Sequence, residues 1–204
     1  MKELERSLRK AAAELPGGPP EAAERRLVRA AAQAGLLDVA YANVDTPFGR
    51  MLVAATSRGL VRVAFPEMPT DVVLEGLSKR VSPRVLEAPE RLDEVRRELE
   101  EYFEGRRQRF ELPLDWSLTR GFHRSVLRTT AGIGYGHVRS YAEVAAGAGS
   151  PRAVRAAGNA LGSNPIPVIV PCHRVVRTGG GLGGYGGGLE RKEYLLRLEG
   201  ALAG

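Results

Sequence analysis

Strand-like and helix-like patterns are segregated along this chain, and the divide falls at Asp115-Trp116-Ser117. Strands with one helix among them before that divide, and mostly helices after it, predict an α+β fold. Upstream, Val39-Ala40-Tyr41-Ala42-Asn43-Val44 reads as a strand and Asp45-Thr46-Pro47-Phe48-Gly49 as a turn. Met51 to Thr56 and Leu60 to Phe65 flank Ser57-Arg58-Gly59, a hairpin signal, and Pro83 to Glu87 is a weaker strand. Arg91 to Gly105 is expected to be helical, with Leu92, Val95, Leu99, Tyr102 and Phe103 on one face, and Phe110 to Leu114 alternates as a short strand would. Downstream, helices are expected over Phe122 to Ala131, Tyr141 to Ala148 with Ser140 as N-cap, Arg152 to Leu161, and Glu190 to Glu199. Ser150-Pro151 reads as an N-cap followed by proline at the first helical position. The two helices around Gly147-Ala148-Gly149-Ser150 fit a helix-turn-helix or an ordinary αα-hairpin.

Residues 1–38 form an extension. Leu4, Leu8, Ala11, Ala12 and Leu15 recur at helical spacing until Pro16-Gly17-Gly18-Pro19-Pro20, and a second helix is expected from Glu21 to about Gln33. The expected organisation is a helical extension over 1–38, an α+β domain over 39–118 and a helical domain over 119–204.

Charge divides along the same line. From Thr119 onward, eleven Lys and Arg face four acids, a net +7, whereas residues 1–118 hold nineteen against twenty, a net −1. A basic surface suits a polyanion, since phosphate contacts release counterions. No apolar run approaches a membrane span, no apolar segment of a secretory signal follows Met1, and one cysteine suits a reducing compartment. The expected location is cytoplasmic, with no membrane partner.

That one cysteine, Cys172, closes the apolar segment Ile166-Pro167-Val168-Ile169-Val170-Pro171 and precedes His173-Arg174. A buried free cysteine is most often a small hydrophobe. Here Pro171 and the His173-Arg174 pair interrupt the apolar run at the thiol, and two adjacent cationic or proton-accepting groups favour thiolate. The pattern points to a nucleophile. Neighbours on an extended strand face opposite ways, so His173 can assist Cys172 only through a bend at Pro171 or a bridging water.

Asn164-Pro165 followed by Val170-Pro171-Cys172-His173-Arg174-Val175 resembles the active-site segment of O6-alkylguanine-DNA alkyltransferases, and the likeness spans nearly all of Phe122 to Gly200 and, more weakly, the region from about Tyr41. The resemblance implies a ribonuclease-H-like N-terminal domain followed by a mostly helical, winged helix-turn-helix-type domain. It implies one-step, stoichiometric transfer of an alkyl group from O6-alkylguanine, less readily O4-alkylthymine, in double-stranded DNA to Cys172. Relatives in which another residue replaces the nucleophile only bind lesions. By the same resemblance, Cys172, a water, His173 and Glu199 form a chain, and Asn164 supports it as a hinge. Tyr141 lies at guanine N3, Val175 and Tyr185 line the base pocket, and Gly186 donates its N–H to O6. The helix carrying Arg152, Arg155, Ala156 and Gly158 enters the minor groove, where Arg155 fills the gap left by a flipped base. A monomer without cofactor is expected.

Thr178 to Gly188 holds eight glycines, enough to satisfy G-x-G-x-x-G by composition alone. No helix opens at Gly184 and no βαβ unit precedes it, so a flexible loop is the reading from residues, and a wall of the base pocket is the one the resemblance implies. His123, His137, His173 and Cys172 show no metal-ligand spacing. Two other readings remain open on the residues. A helix-turn-helix regulator with an alkylation-sensing thiol would need major-groove readout, and a papain-type hydrolase would need Gln and a distal His-Asn pair.

Overall fold

The structure, a computed structural model, describes residues 36–202 together with Arg26, Val28 and Ala30. Those three are helical and Val28 packs against the core, but the expected helix near Leu4 to Leu15 and most of that from Glu21 to Gln33 lie outside the described residues.

Three strands open the fold as a meander: β1 (Val39–Thr46), β2 (Gly49–Thr56) and β3 (Gly59–Ala64). A helix, α1 (Thr70–Arg80), then crosses to β4 (Val85–Glu87), which pairs parallel with β1 and gives the order β3-β2-β1-β4. Alternation along the strands sends side chains to two cores. Ala40, Ala42, Val44, Met51 and Val53 face α2 (Asp93–Phe103), which presents Val95, Leu99 and Tyr102. Val39, Tyr41, Leu52 and Ala54 face α1 through Val73 and Leu77. With both faces covered, the strands read as nearly continuous apolar runs.

The sequence reading did not anticipate α1. Val72 and Val73 lower helix propensity and Gly76 lowers it further, so the segment is helical because Val73 and Leu77, one turn apart, pack on the sheet. Phe110 to Leu114 is not a strand: only Leu114 bridges Leu60, as the Pro113 carbonyl accepts from Leu60 N at 2.8 Å. Pro113 has no N–H to extend the ladder. The expected helix from Arg91 is a 3-10 turn over Pro89–Leu92 running into α2.

The second half contributes α3 (Gly121–Ala131), a two-residue strand β5 (Arg139–Ser140), α4 (Tyr141–Gly147), α5 (Val154–Gly162), a 3-10 turn (Cys172–Arg174), β6 (Val175–Val176) parallel to β5, and α6 (Leu189–Leu198). Ser140 caps α4 as expected, and Glu143 returns to the Ser140 N–H at 2.7 Å to complete a capping box. Ser150 does not cap α5. Its N–H bonds Ala145 O while Gly149, at φ +86°, bonds Ala146 O, closing α4 in a Schellman motif. Ser150 is thus the residue beyond the end of α4, and α5 starts at Val154 instead of Arg152. One apolar cluster runs from the inner sheet face through α3, α4, α5 and α6, so the two halves share a core. Val63 N donates to Pro165 O at 2.8 Å, tying β3 to the segment that leads to Cys172.

Candidate active site

The chain leaves α5 at Gly162 and reaches Cys172 through a segment that Asn164 holds in shape. Asn164 Oδ1 accepts from Ile166 N at 3.0 Å, and Nδ2 donates to Val170 O at 2.8 Å and to Cys172 Sγ at 3.1 Å. Midway, buried Val168 sits at φ +73°, a left-handed conformation that costs a β-branched residue about 1–3 kcal/mol and persists only where its surroundings dictate it. Pro171 then starts the 3-10 turn, with Arg174 N on Pro171 O at 2.9 Å. A bend at Pro171, one of the two routes open to His173 from the sequence, is therefore present.

His173 is fully buried, and its Nε2 lies 2.8 Å from Glu199 Oε1. An ionised carboxylate only accepts, so Nε2 carries the proton and Nδ1 keeps its lone pair. Among the described residues Nδ1 has no hydrogen-bond partner. Glu199 also receives Arg174 Nε on Oε2 at 2.8 Å, Arg174 Nη2 on Oε1 at 2.9 Å and Tyr102 Oη on Oε1 at 2.6 Å. Burial by itself would raise the Glu199 pKa, but the hydrogen bonds from His173 and Arg174 outweigh it and bring it down to about 2. Burial pushes the His173 pKa down against the pull of Glu199, so the imidazole is neutral near pH 7. Burial raises the Cys172 thiol to about 11, opposed by the Asn164 amide and the Lys192 charge. The resting sulfur is a thiol beside a neutral base.

Cys172 opens into a pocket of about 590 Å³ lined by Tyr141, Arg155, Gly158, Tyr185 and Gly186 among others. The glycine-rich loop is its wall. Tyr141 Oη donates to Gly184 O at 3.2 Å, and at Gly183, φ +68°, a Cβ would stand 2.7 Å from Tyr141 Oη. Tyr185 packs edge-on between Phe65 and His173, with centroids at 6.1 and 6.4 Å. Its hydroxyl is buried and unpartnered among the described residues. Arg155 and Arg152 are exposed on α5 and its approach without a carboxylate partner among the described residues, and Ala156 is exposed beside them.

The fold thus gathers Cys172, Tyr141, Arg155, Gly158, Tyr185 and Gly186 around one cavity, with Asn164, His173 and Glu199 behind the thiol. Val175 does not line the cavity. Its side chain is fully buried in β6 and its carbonyl accepts from Lys192 Nζ at 2.5 Å. Arg152 and Ala156 also stand outside the lining.

Three residues of this network escaped the sequence reading as members of the site. Lys192 is fully buried and donates to Val175 O, Leu182 O and Gly184 O, joining α6 to the glycine-rich loop. Burial lowers its pKa to about 8, partly offset by Cys172. The available signal was its place at i in the core stripe Lys192, Leu195, Leu196, Glu199. Arg174 was seen only as a charge beside the thiol, and Tyr102 only as part of an apolar face.

Comparison with known proteins identifies the family. Residues 39–116 match the ribonuclease-like domain of 6-O-methylguanine DNA methyltransferase, and residues 121–201 match its DNA binding domain. The chain is 40% identical over 162 residues to a methylated-DNA–protein-cysteine methyltransferase of Methanosarcina acetivorans, covering 79% of this chain and 98% of that protein. It is 38% identical to the inducible enzyme of that name in Bacillus subtilis, covering 72% and 82%. The crystal structure of Mycobacterium tuberculosis OGT in complex with DNA superposes with a TM-score of 0.67 at 36% identity, covering 79% of this chain and 93% of that one. With both halves matched in order and relatives covered almost end to end, this chain belongs to the 6-O-methylguanine DNA methyltransferase family.

Proposed function

We propose that this protein repairs DNA by moving the alkyl group of O6-alkylguanine, and less readily of O4-alkylthymine, onto Cys172 in a single irreversible step. The observation that carries the reading is the placement of the Cys172 thiol on a pocket with ample room for a purine base, with the Asn164 amide on sulfur and the His173–Glu199 pair next in the chain. His173 Nδ1 takes the thiol proton through a bridging water, and the sulfur lone pair forms a bond to the alkyl carbon while the carbon–O6 bond breaks. The electron pair of that bond stays on guanine, which gains a proton at N3 from the Tyr141 hydroxyl; the proton held on His173 then returns through solvent to the tyrosinate, restoring both side chains. The balance is one thiol and one alkylguanine giving one thioether and one guanine. A thioether is a poor leaving group, so each molecule acts once.

A protein thiol cannot reach O6 inside a duplex, and the base must leave the stack. The slim surface of α5, with exposed Ala156 and half-buried Gly158, suits close approach to the minor groove, and Arg155 at the pocket rim suits the vacated position. Arg152 serves the phosphates. Tyr185 covers the flipped base and the Gly186 N–H donates to O6, while Val175 supports the pocket from behind through the Lys192 clasp. The domain division is 1–38, 39–118 and 119–204, with chemistry in the last. The protein acts as a monomer, and a reducing cytoplasm keeps the thiol ready. No helix among the described residues is long and apolar enough to cross a membrane.

Intact-mass measurement after incubation with a duplex carrying O6-methylguanine tests the reading. One methyl per protein, on Cys172, is expected, and Cys172→Ser should gain none while still binding the lesion. Repeated turnover, or a methyl on another residue, overturns it.

A further inference from the structure

We infer that Tyr102, carried by α2 of the sheet-bearing half, is a positioning residue for the transfer reaction: its hydroxyl holds the carboxylate that orients His173. The inference rests on the proposed role of His173 as the base. Tyr102 is fully buried, and its hydroxyl donates to Glu199 Oε1 at 2.6 Å across 97 positions of sequence. Oε1 also accepts from His173 Nε2 at 2.8 Å and Arg174 Nη2 at 2.9 Å. Three donors therefore share one oxygen. An oxygen that accepts from a phenol has less charge to offer an imidazole N–H, so Tyr102 both fixes the carboxylate and weakens its hold on the His173 proton.

The rest of the setting makes the phenol a fixed donor. Its ring lies against Phe103, Phe110 and Tyr135, with centroids at 5.4, 5.1 and 6.3 Å. Burial, with Glu199 next to it, drives the phenol pKa far above its usual value, so it stays protonated at any working pH. The other groups facing Glu199 are Arg174, the Gly136 N–H at 3.4 Å, and Tyr135, whose own hydroxyl is engaged by Leu198 O at 2.9 Å. His173 is faced by Glu199, Arg174, Lys192 and the Tyr185 ring. Tyr102 alone in this set comes from the half matched to the ribonuclease-like domain. The sheet half thereby reaches the base of a reaction carried out in the other half.

The transfer rate should fall at low pH as His173 takes up a proton. In Tyr102→Phe the freed Oε1 holds the imidazole N–H more tightly, so the acid limb should move up by about half a pH unit, and the carboxylate, no longer fixed by the phenol, orients His173 less well, so the plateau rate should fall by about three- to tenfold. Replacing Tyr102 with 3-fluorotyrosine, a stronger donor of nearly the same shape, should move the limb the opposite way. The measurement is single-turnover transfer from an O6-methylguanine duplex to the full chain from pH 5 to pH 9, with thermal unfolding in parallel. Opposite shifts of the limb support the inference. Superimposable profiles, or a slower rate with an unmoved limb in folded protein, overturn it, since a packing role would not move the limb. Should Tyr102→Phe fail to fold, the fluorotyrosine protein decides alone by the presence or absence of its shift. A wild type that takes no methyl on Cys172 is a failure of the proposed function, distinct from either result.

Discussion

Glu199→Gln keeps the shape of the side chain and removes one charge from a buried group that His173, Arg174 and Tyr102 all contact. The side chains of Glu199 and His173 are both sealed from solvent, and that of Arg174 is 7% exposed. In the wild type the carboxyl is held at about 2, below its ordinary value of 4.5, a shift that corresponds to roughly 3 kcal/mol of folding stability at pH 7. Removing one partner of a buried ion pair costs about 3–5 kcal/mol, because the other charge is left uncompensated, so both routes agree on ~3 kcal/mol. For a chain of this size a urea slope of about 2 kcal/mol per molar converts that into a midpoint lowered by roughly 1.5 M. The pH dependence has a definite sign. The folded pKa lies below the unfolded one, so the contribution is complete above the unfolded value and drains away as pH falls toward the folded value. The gap between wild type and Glu199→Gln should narrow from ~3 kcal/mol at pH 7 to ~1 kcal/mol at pH 3, because the unfolded carboxyl protonates first. Urea titrations at the two pH values read this directly. A midpoint shift at pH 7 below about 0.5 M, or a gap that does not narrow in acid, would show that the Arg174–Glu199–His173 network does not hold the fold in the way its geometry implies.

Arg155→Ala should slow repair of duplex DNA by about tenfold or more while leaving reaction with free O6-benzylguanine nearly unchanged, whereas Tyr141→Phe should slow both, as stopped-flow transfer assays on the two substrates would show. Lys192→Met leaves the carbonyls of Val175 and Leu182 without their Lys192 donor, while Gly184 O keeps that of Tyr141, and should cost about 2–4 kcal/mol in thermal unfolding, with faster amide exchange across residues 178–188. In Gly183→Ala the new methyl meets the Tyr141 ring at a φ of +68°, and transfer should fall at least about tenfold in the same assay while the melting temperature drops only slightly. Raising salt from low to physiological should weaken duplex binding steeply, and a flat response in an anisotropy titration would contradict phosphate contacts by the basic half.

Much of the architecture was legible because it is encoded within a few residues. Apolar runs bounded by the turns at Asp45 to Gly49 and Ser57 to Gly59 located β1 to β3, and the face made by Val95, Leu99 and Tyr102 located α2. The Ser140 cap was readable for the same reason, since its partner Glu143 lies one turn away. Neighbouring chemistry also marked Cys172 and His173, where a lone thiol, a proline and an imidazole are consecutive. Local patterns failed where a distant partner overrode them. The valines and glycine of α1 argue against a helix that only the outer face of the sheet stabilises, and Ser150 was already committed to closing α4.

The polar side of the site was the least legible part. Lys192 and Tyr102 sit on helix faces where periodicity can say only that a residue points inward. Whether such a residue finds three carbonyls or a carboxylate depends on chain 8 to 97 residues away. A backbone hydrogen bond or a cap is decided by short-range sterics that the local sequence carries. A buried charge or hydroxyl is tolerated only when partners converge on it in space, and that convergence exists only once the sheet, α5, α6 and the glycine-rich loop have packed together. The sequence by itself therefore determined the elements whose signals are local and marked Cys172 as the candidate nucleophile, while the tertiary structure decided the helix α1 and which groups hold the candidate base in place.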